Sequence, residues 1–297
     1  MVADARPRRS VLYMPGSNPR ALQKGRSLAA DALILDLEDA VAPEAKTEAR
    51  GNIAEALAEG GYGKREILVR VNGLETPWGR DDLIAMAKTG AGGILLPKVE
   101  SADSVRKAIA VLDAAGGPMD LPIWCMIETP MGVLHAEEIA AASPRVAGFV
   151  MGTSDLAKEL HCLHTPARLP FMTSLNHTIL VARAYGLAAL DGVHLDLADD
   201  DGFAQSCLQG LELGFDGKTL IHPKTIEKAN EVFGPSEQEV ARSKEIIAAF
   251  EAAQTEGKGL VVLDGKLVEN LHVENAKRIL ALAERIAELA ADQSAAA

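Results

Sequence analysis

Short apolar runs alternate with stretches of helical period along most of the chain, regularly enough for the units to be numbered. Eight runs bounded by Gly, Pro, Asn or Asp read as strands: Ser10 to Met14, Ala32 to Asp39, Ile67 to Asn72, Gly93 to Val99, the runs opening at Ile123 and at Gly148, Ala188 to Leu195, and Gly217 to His222. Between them, apolar positions three and four apart predict helices over Arg20 to Leu28, Glu44 to Glu59, Arg80 to Lys88, Ala102 to Ala115, Val133 to Ala142, Met172 to Tyr185 and Asp201 to Leu213. Runs such as Ile123-Trp124-Cys125-Met126-Ile127 are apolar on both faces, as strands of a parallel sheet covered by helices are. Eight βα units in about 230 residues predict an α/β fold closed as a (β/α)8 TIM barrel, with an open doubly wound sheet as the alternative. No Gly-x-Gly-x-x-Gly follows a strand and no phosphate loop ends in Gly-Lys-Ser/Thr, so the open nucleotide-binding fold lacks its marker.

After Pro223 the pattern changes. Glu237 to Glu256 reads as a long amphipathic helix broken by Gly257-Lys258-Gly259, and Leu260 to Leu267 as a hairpin turning at Asp264-Gly265. A last helix from about Val273 carries Ile279, Leu282, Ile286 and Leu289 on one stripe, and Asp292 to Ala297 is expected to be disordered. The chain therefore divides into a catalytic barrel over 1–235 and a C-terminal helical extension over 236–297. The hairpin and helix of the extension are expected to form a lid over the barrel mouth, of this copy or of a neighbour.

Composition narrows the ligand. The 297 residues are 48% apolar, 4% aromatic and include 26 Gly, as expected of helices packed on a sheet through tight turns. A net charge of −12 disfavours nucleic acid and anionic membrane surfaces as partners, so an anionic ligand needs a local cluster of cations. Cys125, Cys162 and Cys207 are odd in number and far apart, which argues against a disulfide framework or a zinc site and fits a reducing cytoplasm. Arg6, Arg8 and Arg9 lead straight into a strand, so no secretory leader is expected, and no apolar run reaches the ~18 residues of a membrane span.

Candidate chemistry lies where the strands end. Glu128 and Asp155 are each expected at a strand C-terminus, where α/β folds keep their chemistry. Without Cys or His ligands beside them they suit a hard divalent ion, Mg2+ first, which takes one or two carboxylates and leaves its other positions to water and substrate. In Leu35-Asp36-Leu37-Glu38-Asp39 the leucines face the helices and the acids the barrel interior. Asp36 is as consistent with an internal salt bridge as with a place near the metal; Glu38 and Asp39 are expected to hydrogen-bond metal-bound waters. The same alternation turns Arg70 and Asn72 inward, Arg70 either to neutralise Glu38 or Asp36 or to hold a substrate carboxylate bidentately. Lys98 is a second cation or an ordinary rim residue. Pro15-Gly16-Ser17-Asn18, with Arg20 and Lys24 after it, offers a helix N-terminus for a phosphate, or simply a capped helix with solvated side chains. His161-Cys162-Leu163-His164 has no second ligand pair at zinc spacing and reads as a loop, and no Gly-x-Ser-x-Gly elbow marks a serine hydrolase.

Arg9-Ser10-Val11-Leu12-Tyr13-Met14-Pro15-Gly16, Leu35-Asp36-Leu37-Glu38-Asp39-Ala40-Val41, Arg70-Val71-Asn72, Met126-Ile127-Glu128-Thr129, Gly152-Thr153-Ser154-Asp155-Leu156 and Gly217-Lys218-Thr219-Leu220-Ile221-His222-Pro223 together resemble the CitE-like family, which groups citrate lyase β subunits with malyl-CoA lyases. The resemblance runs from about Arg9 to Leu289. It implies a trimeric or hexameric barrel acting with Mg2+ on coenzyme A or carrier-bound thioesters of hydroxy acids. It also implies Glu128 and Asp155 as metal ligands, Arg70 as the substrate-holding and catalytic cation, and Tyr13, Lys24, Ile221 and His222 along the coenzyme A cleft. Asn18 departs from the Arg that lyases often place against the cofactor, and Arg20 is the residue positioned to compensate. Malyl-CoA lyases supply an acid–base Asp from the adjoining subunit at the end of a Gly-(Lys/Arg)-(Leu/Met)-Val-Asp segment, where this chain has Glu269 in Gly265-Lys266-Leu267-Val268-Glu269. That wording looks most like the thioesterases of the family that hydrolyse (3S)-malyl-CoA to malate and coenzyme A. The alternatives are C–C cleavage of malyl-CoA, β-methylmalyl-CoA, citramalyl-CoA or citryl-CoA, and a citrate lyase β subunit dependent on an acyl-carrier protein.

Overall fold

The computed structural model describes residues 6–255 and 261–296, with side chains as far as Gln293. Residues Arg8 to Phe233 form one compact unit and the chain from Gly234 another. In the first unit eight parallel strands close in sequence order into a barrel, each next to its chain neighbours and β1 beside β8. They are β1 (Ser10–Pro15), β2 (Ala32–Asp36), β3 (Glu66–Arg70), β4 (Gly93–Leu96), β5 (Ile123–Ile127), β6 (Val146–Met151), β7 (Ala188–Asp191) and β8 (Gly217–Leu220). The helices around them are α1 (Pro19–Gly25), α2 (Lys46–Glu59), α3 (Gly79–Met86), α4 (Ala102–Ala114), α5 (Pro130–Leu134), α6 (Ala136–Ala140), α7 (Thr153–Leu160), α8 (Met172–Ala184), α9 (Asp200–Leu213) and α10 (Ile226–Phe233).

Period 2 along the strands sorts the core into two layers. Val11, Ile34, Leu68, Leu95, Trp124, Met126, Val150 and Leu190 fill the barrel interior, while Leu33, Leu35, Val69, Ile94, Cys125 and Phe149 face the helices. Trp124 plugs the interior because Gly148 lies opposite: a Cβ there would come within 2.4 Å of the indole ring. Arg8, paired with Glu66, stacks its guanidinium 5.1 Å from the same ring. Between sheet and helices, Asp191 at the end of β7 accepts two bonds from Arg168 (2.7 and 2.8 Å) and one from the wholly buried Lys218 of β8 (2.8 Å). Burial alone would push the Asp191 carboxyl up, but Lys218 and Arg168 hold it below the usual carboxylate range.

Several boundaries differ from those the sequence predicts. The strands stop earlier, at Asp36 rather than Asp39 and at Arg70 rather than Asn72, because the side chains there turn the backbone out of the sheet. Asp36 accepts from the Glu38 and Ala40 amides at 2.9 and 3.0 Å, and Asn72 donates to Leu37 and Asp82 at 2.8 and 2.6 Å, so Asn72 joins loop to helix instead of facing the barrel mouth. The helix expected over Val133 to Ala142 is two, broken at His135, whose Nδ1 lies 2.8 Å from the Glu100 carbonyl oxygen. The α7 and α10 helices are additional to the expected set.

The second unit holds α11 (Glu237–Thr255), the hairpin of β9 (Val261–Leu263) and β10 (Lys266–Val268) turning at Asp264-Gly265, and α12 (Asn270–Ala296). Asp264 and Gly265 both have positive φ (52° and 74°), which the sequence Asp-Gly favours. The break expected at Gly257-Lys258-Gly259, with Glu256 and Leu260 on either side, lies outside the described residues. Asp292 to Ala296, expected to be disordered, continue α12, consistent with the high helix propensity of Ala290, Ala291, Ala295 and Ala296. Among the described residues no helix is long and apolar enough to cross a membrane.

Candidate active site

The ends of β1 to β6 gather five carboxylates around two cations. Register sets the first pair: Asp36 of β2 lies directly beside Arg70 of β3, both at strand ends. The Arg70 Nε and Nη2 donate to the two Asp36 oxygens at 2.7 and 2.6 Å, and Nη1 reaches Glu38 at 2.9 Å and Asp39 at 3.7 Å. The paired edge of the guanidinium is therefore spent on Asp36, as a buried arginine between acids requires, and Nη1 is engaged by Glu38 and lies 3.8 Å from the Met126 sulfur. Tyr13 of β1 supports the guanidinium, its ring centroid 4.8 Å from Arg70 Cζ, and its hydroxyl donates toward the Met126 sulfur at 3.9 Å. Burial pushes the Tyr13 phenol up, so it stays protonated. Glu38 is buried against this group, and its carboxyl is raised by that burial, Arg70 opposing.

Glu128 follows the last residue of β5 and is 2% exposed. Its Oε1 accepts the Lys98 backbone N–H at 2.7 Å, and its other oxygen lies against Gly152, where a Cβ would approach to 2.3 Å. Only glycine at the β6–α7 junction leaves room for this carboxylate. Burial pushes the Glu128 carboxyl up to about 7, with the Lys98 amide and Arg70 pulling the other way. Asp155 sits in the first turn of α7 instead of on the strand end the sequence suggested. Gly152 caps that helix, so the chain turns immediately after β6 and carries Asp155 round toward Glu128.

Lys98 has a left-handed backbone (φ 47°), rare for a residue with a side chain. That twist aims its amide at Glu128 and returns its ammonium to 3.3 Å from Glu38 and 4.0 Å from Asp155. Burial works against the charge, but Glu38, Asp155 and their neighbours hold the ammonium above the ordinary lysine range.

Among the described residues no three His, Cys, Asp or Glu groups form a ready ligand set. The donors do fit a hard cation of low protein-ligand count. Glu128 and Asp155 offer carboxylate oxygens that repel one another, and the surrounding acids outnumber Arg70 and Lys98.

The other predicted site residues make local contacts of their own. Arg20 and Lys24 are exposed on α1, whose first turn is already capped by Asn18 accepting from Ala21 at 3.1 Å. Ile221 and His222 are exposed just past β8, the His222 Nδ1 accepting from the Lys224 amide. Glu269 is exposed in the C-terminal unit at the start of α12, its N–H donating to His272 Nδ1 at 3.0 Å. His164 bonds the Thr153 carbonyl through Nε2 and packs on Phe171, so the His161–His164 stretch is a loop. Sequence reasoning missed Met126 beneath Arg70, the reach of Lys98 and the clearance at Gly152. The one visible hint was glycine between the apolar run and Thr153.

Residues 9–223 match the family described as HpcH/HpaI aldolase/citrate lyase. A (3S)-malyl-CoA thioesterase of Cereibacter sphaeroides is 51% identical over 98% of this chain and 100% of its own. An L-malyl-CoA/β-methylmalyl-CoA lyase of the same species is 38% identical over 95% and 96%. The crystal structure of CitE from Mycobacterium tuberculosis, in complex with magnesium, acetoacetate and coenzyme A, superimposes with a TM-score of 0.75 at 30% identity, covering 93% of this chain and 97% of that one.

Proposed function

The chain belongs to the HpcH/HpaI aldolase/citrate lyase family, and from that premise we propose that it is a Mg2+-dependent thioesterase releasing malate and coenzyme A from (3S)-malyl-CoA. The observation that carries the reading is the full-length 51% identity to a thioesterase of that specificity, joined to a strand-end site with a cation-seeking pair of acids beside a fixed arginine.

Glu128 and Asp155 hold the magnesium ion, whose bound form supplies Lewis-acid polarisation of the acyl oxygens. Asp36 and Tyr13 fix Arg70 in place, and its Nη1 donates to the malyl carboxylate by exchanging its contact with Glu38 while the guanidinium stays where it is. Glu38 and Asp39 accept from water around the acids, and Lys98 braces Glu128 through its amide. Glu269, delivered by the C-terminal unit of a neighbouring copy in a trimer or hexamer, takes a proton from water as the oxygen attacks the thioester carbonyl carbon. As the carbon–sulfur bond breaks, the same carboxyl returns the proton to the departing thiolate. Malate and the free thiol of coenzyme A are the products. Tyr13, Arg20, Lys24, Ile221 and His222 are the residues proposed to line the coenzyme A path.

The test is product analysis with (3S)-malyl-CoA and MgCl2. Free thiol and malate in equal amounts are expected. Acetyl-CoA and glyoxylate in equal amounts, without thiol, would establish instead the C–C lyase chemistry named for the 38% identical relative.

A further inference from the structure

Lys98 is the residue whose side chain the proposed chemistry leaves unused. Its backbone N–H is bonded to one expected metal ligand, Glu128, while its ammonium stands 4.0 Å from the other, Asp155, and 3.3 Å from Glu38. A left-handed backbone at a residue with a long side chain is strained and persists only where surrounding contacts require it. An amide brace for Glu128 alone would be served more cheaply by glycine, so the side chain is part of what the twist is for. Its stem is short of full burial, with 40% of the side chain exposed, so the ammonium is free to withdraw.

We propose that Lys98 is a built-in counter-ion of the carboxylate site, a positioning residue whose ammonium neutralises Asp155 and Glu38 in the metal-free protein and competes directly with the divalent cation for Asp155. The inference rests on the reading of Glu128 and Asp155 as metal ligands. It follows from charge and distance. A cluster of acids gathered without a cation repels itself apart, and the lysine keeps Asp155 near its metal-binding place until the metal arrives. Metal affinity is the cost, because the ammonium must leave Asp155, and a positive charge tethered beside a dication opposes its binding.

Isothermal calorimetry of MgCl2 binding to the full-length chain tests this, using Lys98→Met, which keeps the stem and the amide, and Lys98→Arg, which keeps the charge. Lys98→Met is expected to bind Mg2+ roughly tenfold more tightly than the wild type, and Lys98→Arg to bind like the wild type. Lys98→Gly, suited to the backbone conformation, guards against misfolding of the methionine variant and is expected to match its gain. Unchanged or weaker binding by both neutral variants would overturn the proposal while leaving the metal site intact. No Mg2+ binding by the wild type would overturn the metal site itself, and the counter-ion role with it.

Discussion

Arg70 touches three carboxylates and a phenol ring, and this over-determination is what lets a cation inside a barrel serve as a fixed donor. Sequence alternation placed it facing inward but left open whether it neutralises Asp36 or grips a substrate. Geometry gives the paired edge to Asp36 and Nη1 to Glu38, the contact a ligand carboxylate would have to replace. Glu128→Gln and Asp155→Asn are each expected to abolish Mg2+ binding by calorimetry while circular dichroism stays native. For Glu128→Gln the barrel has little to lose, since a neutral amide relieves a buried charge. The opposite holds at Asp191, whose removal strands Arg168 and Lys218 as buried cations. Asp191→Asn is expected to cost about 3–5 kcal/mol in denaturant unfolding. Because the folded Asp191 carboxyl is held below its unfolded value, its stabilisation is complete above the unfolded carboxylate pKa of about 3.9 and is lost as pH falls through the lower folded value. Comparing unfolding free energies of wild type and variant from pH 7 downward should therefore show the gap constant at first, then narrowing only in acid below about pH 4.

At the scale of elements, the junction from β6 to α7 does most to make the site. Any residue with a Cβ in place of Gly152 would displace Glu128, and a looser turn would carry Asp155 elsewhere. Gly152→Ala introduces ~1–3 kcal/mol of overpacking at the carboxylate, which taken out of metal affinity weakens Mg2+ binding roughly tenfold or more in a calorimetric titration. A Tm within a few degrees of wild type would show that the loss is local. The two five-residue helices α5 and α6 and the additional α7 carry the same lesson. Apolar spacing merges the first two into one helix and does not show the break at His135, and Thr129, Pro130 and Gly152 are read as boundaries only when the strand ends are known.

At the scale of the whole molecule, the barrel unit holds every group of the carboxylate site, and Glu269 belongs to the other unit. Glu269→Gln is expected to slow thiol release by about 10²- to 10⁴-fold with Mg2+ affinity unchanged. Co-expressing Glu269→Gln with Glu128→Gln should restore part of the activity that each lacks alone if the acid is exchanged between copies; no recovery would place it in its own chain. Eight apolar runs with helical stretches between them, the inward face of Asp36, Glu38 and Arg70, and the Asp-Gly hairpin were all determined by the sequence itself. Period and turn chemistry are local properties, encoded within a few residues of where they act. What only the tertiary structure decided was partnership: which acid takes the paired edge of Arg70, that Asn72 serves Asp82 instead of the mouth, and that Lys98 folds back between Glu38 and Asp155. Those contacts join residues from different strands, and their choice depends on barrel register and on a single left-handed backbone that no local pattern announces.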